Sequence, residues 1–144
     1  MNNVEASGIT YPGETTDEVT NEDYLWLGPE KDVNAALVLD GTSGTSGDFG
    51  AEEEKTGGRI YVETIGKSVK EQLKKNPEKN LEEVIKKAIE QAWKVFQEKG
   101  EDSRKSYFAG EASQFPSATT APGAVGSLVR WSKEKVEVLH IGDV

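Results

Sequence analysis

The chain has 144 residues, 35% hydrophobic and 30% charged, and 26 Asp and Glu against 17 Lys and Arg leave a formal net charge of −9. That length suits one domain around a single core, and the acidic balance argues against partners such as nucleic acid or anionic membrane, which need a basic surface. With no cysteine and one histidine, His140, disulfides, thiolate zinc sites, a cysteine nucleophile and multi-histidine metal centres are excluded. A Ser-His-Asp relay is disfavoured for the same reason. No stretch approaches the ~20 apolar residues of a membrane span. The opening Met1-Asn2-Asn3-Val4-Glu5 has neither the basic nor the apolar part of a secretory signal, so a cytoplasmic protein is expected.

Residues 1–20, rich in Thr, Glu, Gly and Asp with Pro12-Gly13 as a turn, read as a loosely ordered lead-in with one short strand around Ile9–Tyr11. The domain proper is expected over 21–144. Tyr24-Leu25-Trp26-Leu27, ended by Gly28-Pro29, and Ala35–Leu39, stopped by Asp40-Gly41, are short apolar runs bounded by turn residues and read as buried strands. A glycine-rich loop, Gly41–Gly50, and the acidic Glu52-Glu53-Glu54 follow. Ile65, Val69 and Leu73 then recur at i, i+4, i+8 as one face of a helix that stops at Asn76-Pro77. Asn80 with Glu83 three residues on opens a second helix, whose apolar face is Leu81, Val84, Ile85, Ala88, Ile89, Ala92, Trp93 and Phe96, with Gly100 as its C-terminal stop. The short connection implies an antiparallel helix pair.

Residues 101–127, with Pro116 and Pro122, read as a loop. Ser127–Trp131 and Lys135–Ile141, in which Val136, Val138 and His140 alternate with Glu137, Leu139 and Ile141, read as a β-hairpin. The sum is an α+β fold in which two helices cover a largely antiparallel sheet. Trp26, Trp93 and Trp131 are assigned to the core, and His140 to the core or a sheet face.

Three chemistries fit a strand that ends in Asp-Gly and a glycine-rich loop. A phosphate-cradling loop needs G-x-x-x-x-G-K-[ST]; Gly41–Gly50 has no lysine, and Gly66-Lys67-Ser68 has Tyr61 at the first glycine position and lies within the helical pattern. An aspartyl-phosphate phosphatase needs Asp-x-Asp-Gly-Thr, but Val38-Leu39-Asp40-Gly41-Thr42 puts Val38 where the nucleophilic carboxylate belongs. The third is a metal-dependent hydrolase. Asp40 at a strand end, beside a glycine carbonyl, supplies the oxygens that hard cations prefer. Pairing of the first two strands would bring Glu22-Asp23 alongside, and Asp143 also ends a strand. The competing reading is acidic residues placed at turns for solubility.

Four segments, in order, resemble the type 2C (PPM-type) family of metal-dependent serine/threonine protein phosphatases. Asn21-Glu22-Asp23 resembles its first acidic motif, and Val38-Leu39-Asp40-Gly41 its second. Pro116-Ser117-Ala118-Thr119 resembles its Gly-Ser-Thr-Ala segment, and Val138-Leu139-His140-Ile141-Gly142-Asp143 the strand ending in Gly-Asp-Ser. The likeness covers roughly residues 20–144, and the helix pair sits where that family has one. The resemblance implies a β-sandwich of two antiparallel sheets flanked by helix pairs. It further implies hydrolysis of phosphoserine or phosphothreonine in a phosphoprotein substrate by water activated at Mn²⁺ or Mg²⁺ ions. Carried onto this chain, it makes Asp40 the bridging ligand, Glu22 a ligand of one ion, Gly41 a carbonyl ligand, Asp23 a support through bound water, and Asp143 a ligand of a third ion.

The departures are specific. Glu18 stands where the family carries its phosphate-binding arginine, with Asp17 beside it, so Arg59 and Arg104 become candidates for that role against ordinary surface ones. Thr42 and Val144 depart from the motif residues, and Pro122-Gly123-Ala124-Val125-Gly126 interrupts a stretch expected to run into a strand. The sequence stops at Val144, about midway through that family's domain, ahead of the later aspartates and closing strands. The expectation is therefore an incomplete site and a half-sandwich with exposed apolar faces and edges. Such a chain would pair as a homodimer or with a separate C-terminal partner chain. The alternative function is a non-catalytic interaction protein on the same scaffold.

Overall fold

A computed structural model describes residues 7–9, 21–30, 32–41, 57–109 and 122–142, with 101–108 as backbone alone. The elements are β1 (Tyr24–Leu27), β2 (Ala35–Gly41), α1 (Gly57–Lys75), α2 (Leu81–Phe108), β3 (Ala124–Trp131) and β4 (Val136–Ile141). The strands form one antiparallel sheet in the order β1-β2-β3-β4, an α+β arrangement with the helix pair inserted between β2 and β3.

The period-2 alternation of a strand decides which side chains meet the helices. In β2, Ala35, Leu37, Leu39 and Gly41 are buried whereas Val38 and Asp40 are exposed. Register then lines up rows across the sheet. Trp26, Leu37, Leu128 and Leu139 form one row, and Tyr24, Leu39, Gly126 and Ile141 the next. Against them the helices pack Val62, Ile65, Val69 and Leu73 of α1 and Leu81, Val84, Ala88 and Ala92 of α2. Full burial of one such Val, Leu or Ile side chain contributes about 1.5–3 kcal/mol, so this single layer dominates the stability of the fold.

Local chemistry sets the helix ends. Asn80 Oδ1 accepts the backbone N–H of Glu83 at 3.1 Å, the N-cap expected from the sequence. Gly66 lets α1 approach β1 closely: a Cβ there would come within 2.1 Å of the Tyr24 ring. At the opposite end of the sheet, Arg130 on β3 reaches the α1–α2 turn, donating to the carbonyls of Pro77 (2.6 Å) and Lys79 (2.7 Å) and pairing with Glu137 (2.7 Å).

Several expectations are corrected. Gly100 does not stop α2, which continues to Phe108 through the start of the expected loop. A glycine ends a helix by adopting positive φ; among the described glycines positive φ is found at Gly142, after β4, whereas Gly100 stays helical at a cost of about 1 kcal/mol relative to alanine. β3 starts at Ala124, so the interruption before it ends at Gly123. Residues 7–9 are not a strand, and Ile9 is 78% exposed; residues 10–11 lie outside the described residues. Trp26 is buried as expected, but Trp131 is half-buried. Trp93 is 38% exposed and stacks on Phe96 at 5.7 Å.

The face of the sheet away from the helices carries Val38, Val125, Val136 and Val138, between 40% and 66% exposed. Gly8 crosses its β1 side, close enough that a Cβ would be 3.1 Å from Leu25 Cδ2. No described helix is long and apolar enough to cross a membrane.

Candidate functional site

The β1–β2 register, in which Tyr24 faces Leu39, continues beyond β1 and sets Asp23 opposite Asp40 and Glu22 opposite Gly41. The Gly41 N–H donates to the Glu22 carbonyl at 3.3 Å, extending the ladder by one bond. The adjacency expected from strand pairing is thus present, and its cause is the antiparallel hairpin itself.

Alternation separates the three carboxylates. Asp23 and Asp40 lie beside one another at the strand ends. Burial and the neighbouring Asp40, through its charge and through hydrogen bonding, push the Asp23 carboxyl above its ordinary value, while the nearby Arg59 opposes the shift. The Asp23 N–H donates to Asn21 Oδ1 at 2.9 Å, a local turn that fixes the approach to β1.

Glu22 faces the helix side and is 5% exposed. Its carboxylate lies against the first turn of α1, where a Cβ on Gly58 would come within 2.7 Å of Oε1. The amino end of a helix favours a carboxylate, so Glu22 has a structural role whether or not a metal binds. Gly41 is likewise required sterically: a Cβ there would be 2.9 Å from the Glu22 carbonyl oxygen and 3.2 Å from Val62 Cγ1.

Arg59, on the same first turn, donates Nε to Glu63 at 2.8 Å and Nη1 to the carbonyl oxygens of Asn21 (3.3 Å) and Asp23. As a substitute for the phosphate-binding arginine it would act through a guanidinium already engaged in these bonds. The side chain of Arg104 lies outside the described residues, as do Asp17, Glu18, Thr42, Pro116–Thr119, Asp143 and Val144.

The carboxylates that the fold brings together at this end are those of Asp23 and Asp40. Among the described residues no set of three or more His, Asp or Glu side chains gathers as a metal centre. His140 stands on the open sheet face, its Nδ1 3.0 Å from Ser127 Oγ on the adjacent strand, the sheet-face placement expected for it.

Sequence reasoning missed Gly58 and the strap formed by Arg59. The available signal was Gly57-Gly58-Arg59 ahead of the apolar helix face, since paired glycines at a helix start leave room for another segment to approach. No protein-family model matches the chain, and comparison with curated proteins and with solved structures gives no match either.

Proposed function

We propose that this chain carries a type 2C-like metal-dependent serine/threonine protein phosphatase scaffold whose acidic end, Asp23 and Asp40, holds a divalent cation, Mn²⁺ or Mg²⁺. The observation that carries the reading is the juxtaposition of Asp23 and Asp40 at the ends of β1 and β2, with the Asp23 carboxyl pushed up by burial and by its neighbour. Two such carboxylates repel when both are ionised, and a hard cation with oxygen preference relieves that repulsion. The order of the sequence motifs and the helix pair between the second and third of them support the same assignment.

When bound there, the ion supplies Lewis-acid polarisation of a phosphomonoester and a more acidic water. The chain's own contribution is positional. Antiparallel pairing brings the two aspartates together, Gly41 admits the Glu22 backbone, and Glu22 anchors the acidic segment to α1. The reading calls for further carboxylates to complete the metal site, with Asp143 as the ligand of a third ion. The test is phosphate release from a phosphothreonine peptide with and without millimolar Mn²⁺, comparing the chain with Asp40→Asn. Mn²⁺-dependent turnover abolished in the variant supports the assignment; a folded chain with no turnover at any Mn²⁺ concentration refutes catalysis by this polypeptide.

The exposed valines of the open face, Val38, Val125, Val136 and Val138, favour a second reading. On it the scaffold is a non-catalytic interaction protein that pairs through this face, with a second copy or a separate C-terminal partner chain. Sedimentation equilibrium combined with Mn²⁺ titration tests it: self-association without metal in a chain that binds no Mn²⁺ supports the second reading, and Mn²⁺ binding lost in Asp40→Asn supports the first.

A further inference from the structure

We infer that Arg59 is the positioning residue of the acidic end, holding the segment Asn21–Asp23 from the side away from β2 so that Asp23 stays against Asp40. The inference rests on the cation-binding reading of that pair and assigns the group that presets it.

The argument follows from the direction of the backbone. Consecutive carbonyls of an extended chain point to opposite sides. The Glu22 carbonyl turns toward β2 and accepts the Gly41 N–H at 3.3 Å. The carbonyls of Asn21 and Asp23 therefore turn the other way, away from β2, on the side where β1 is the outermost strand among the described residues. Arg59 Nη1 donates to both of them, across 38 and 36 residues of sequence. The guanidinium thus ties these two carbonyls to α1 on the side of the segment away from β2.

Two further contacts make the strap stiff. Arg59 Nε is anchored by Glu63, one turn along α1, at 2.8 Å. Beside it, Gly58 has no side chain, and the Glu22 carboxylate fills that space. The acidic segment is consequently held to α1 by a side chain of its own and by one from the helix, and to the sheet by the 3.3 Å bond from the Gly41 N–H. A lysine cannot reproduce this arrangement, because it presents a point charge rather than a planar fork with donors in two directions.

Positioning and simple electrostatics predict opposite signs. A positive charge near a cation site repels the cation, so removing Arg59 for charge alone would tighten Mn²⁺ binding. Loss of positioning would weaken it, by about 10–100-fold on the scale of residues that orient metal ligands. The experiment titrates Mn²⁺ into the intact chain, Arg59→Gln and Arg59→Lys, following amide broadening by NMR. Hydrogen exchange of the Gly41 amide is measured in the same proteins without metal, and thermal melts show that each is folded. The expected result is weaker Mn²⁺ binding in both variants with Gly41 exchange faster by about fivefold to tenfold. Should Arg59→Gln not fold, Arg59→Lys, which keeps the charge and stem, decides alone. Unchanged or tighter Mn²⁺ binding, or unchanged Gly41 exchange, in a folded variant overturns the inference. If the wild-type chain binds no Mn²⁺, the cation reading itself fails, and Gly41 exchange alone then supports or overturns the positioning role.

Discussion

The β1–β2 hairpin carries a partnered carboxyl group at each end, and the two are opposite in character. At the turn end, Glu30 accepts from Lys70 at 2.6 Å, Lys74 at 2.5 Å and the Trp26 indole N–H at 3.2 Å, and these partners pull its carboxyl down to about 2. At the other end, Asp23 meets burial and the like charge of Asp40, and its carboxyl is pushed up. Same hairpin, same residue class, opposite shifts: a carboxylate whose charge is compensated ties the turn to α1, whereas a carboxylate set against another holds its proton to higher pH.

The largest expected effect lies at the compensated end. Trp26→Ala removes a side chain only 5% exposed together with its N–H to Glu30, and should cost about 3–5 kcal/mol in urea unfolding. At the acidic end, Gly41→Ala forces a Cβ toward the Glu22 backbone oxygen, 2.9 Å away, and should cost about 1–3 kcal/mol in the metal-free protein. If Gly41→Ala proved as stable as wild type, the close β2–Glu22 approach that places the two aspartates would be wrong.

The pH profiles separate the ends by sign. Glu30 has its folded value at about 2 against an ordinary 4.5, so its stabilisation is complete above pH 4.5 and is lost as pH falls toward 2. Glu30→Gln should lower the melting temperature at pH 7 and flatten that acid loss, and an unflattened profile would assign it to other carboxylates. Glu137, lowered chiefly by its bond to Arg130, contributes a loss of the same sign. Asp23 works the other way: its folded value is raised, so it favours folding at low pH and loses that contribution as pH rises from 3.8 through the folded value. Asp23→Asn should therefore raise the metal-free melting temperature at pH 7 by about 1–3 °C, with no gain below pH 3. A decrease at pH 7 would show that the carboxylate is compensated after all.

Much of this molecule was legible in the chain. Apolar runs closed by Gly-Pro and Asp-Gly located β1 and β2, the 3.6-residue period and Asn80 located the helix pair, and alternation in Val136–Ile141 located β4, because each of these signals is local. Gly100 misled for the same reason: helix termination depends on φ, and a glycine within a helix keeps helical φ when the flanking residues continue it. At the acidic end, the sequence made Asp23, Asp40, Glu22 and Gly41 candidates and strand pairing predicted their proximity. Which carboxylates face one another could not be read from spacing. Only the register and the first turn of α1 decided it, turning Glu22 onto Gly58 and leaving Asp23 beside Asp40. The tie from Arg59 to the carbonyls of Asn21 and Asp23 spans 36 to 38 residues, and contacts of that range exist only once helix and sheet have packed. Composition, period and turn residues determined the elements of this protein; the packing of α1 on the edge of β1 decided what its acidic end can do, because charge pairing is set by distance in space and not by order along the chain.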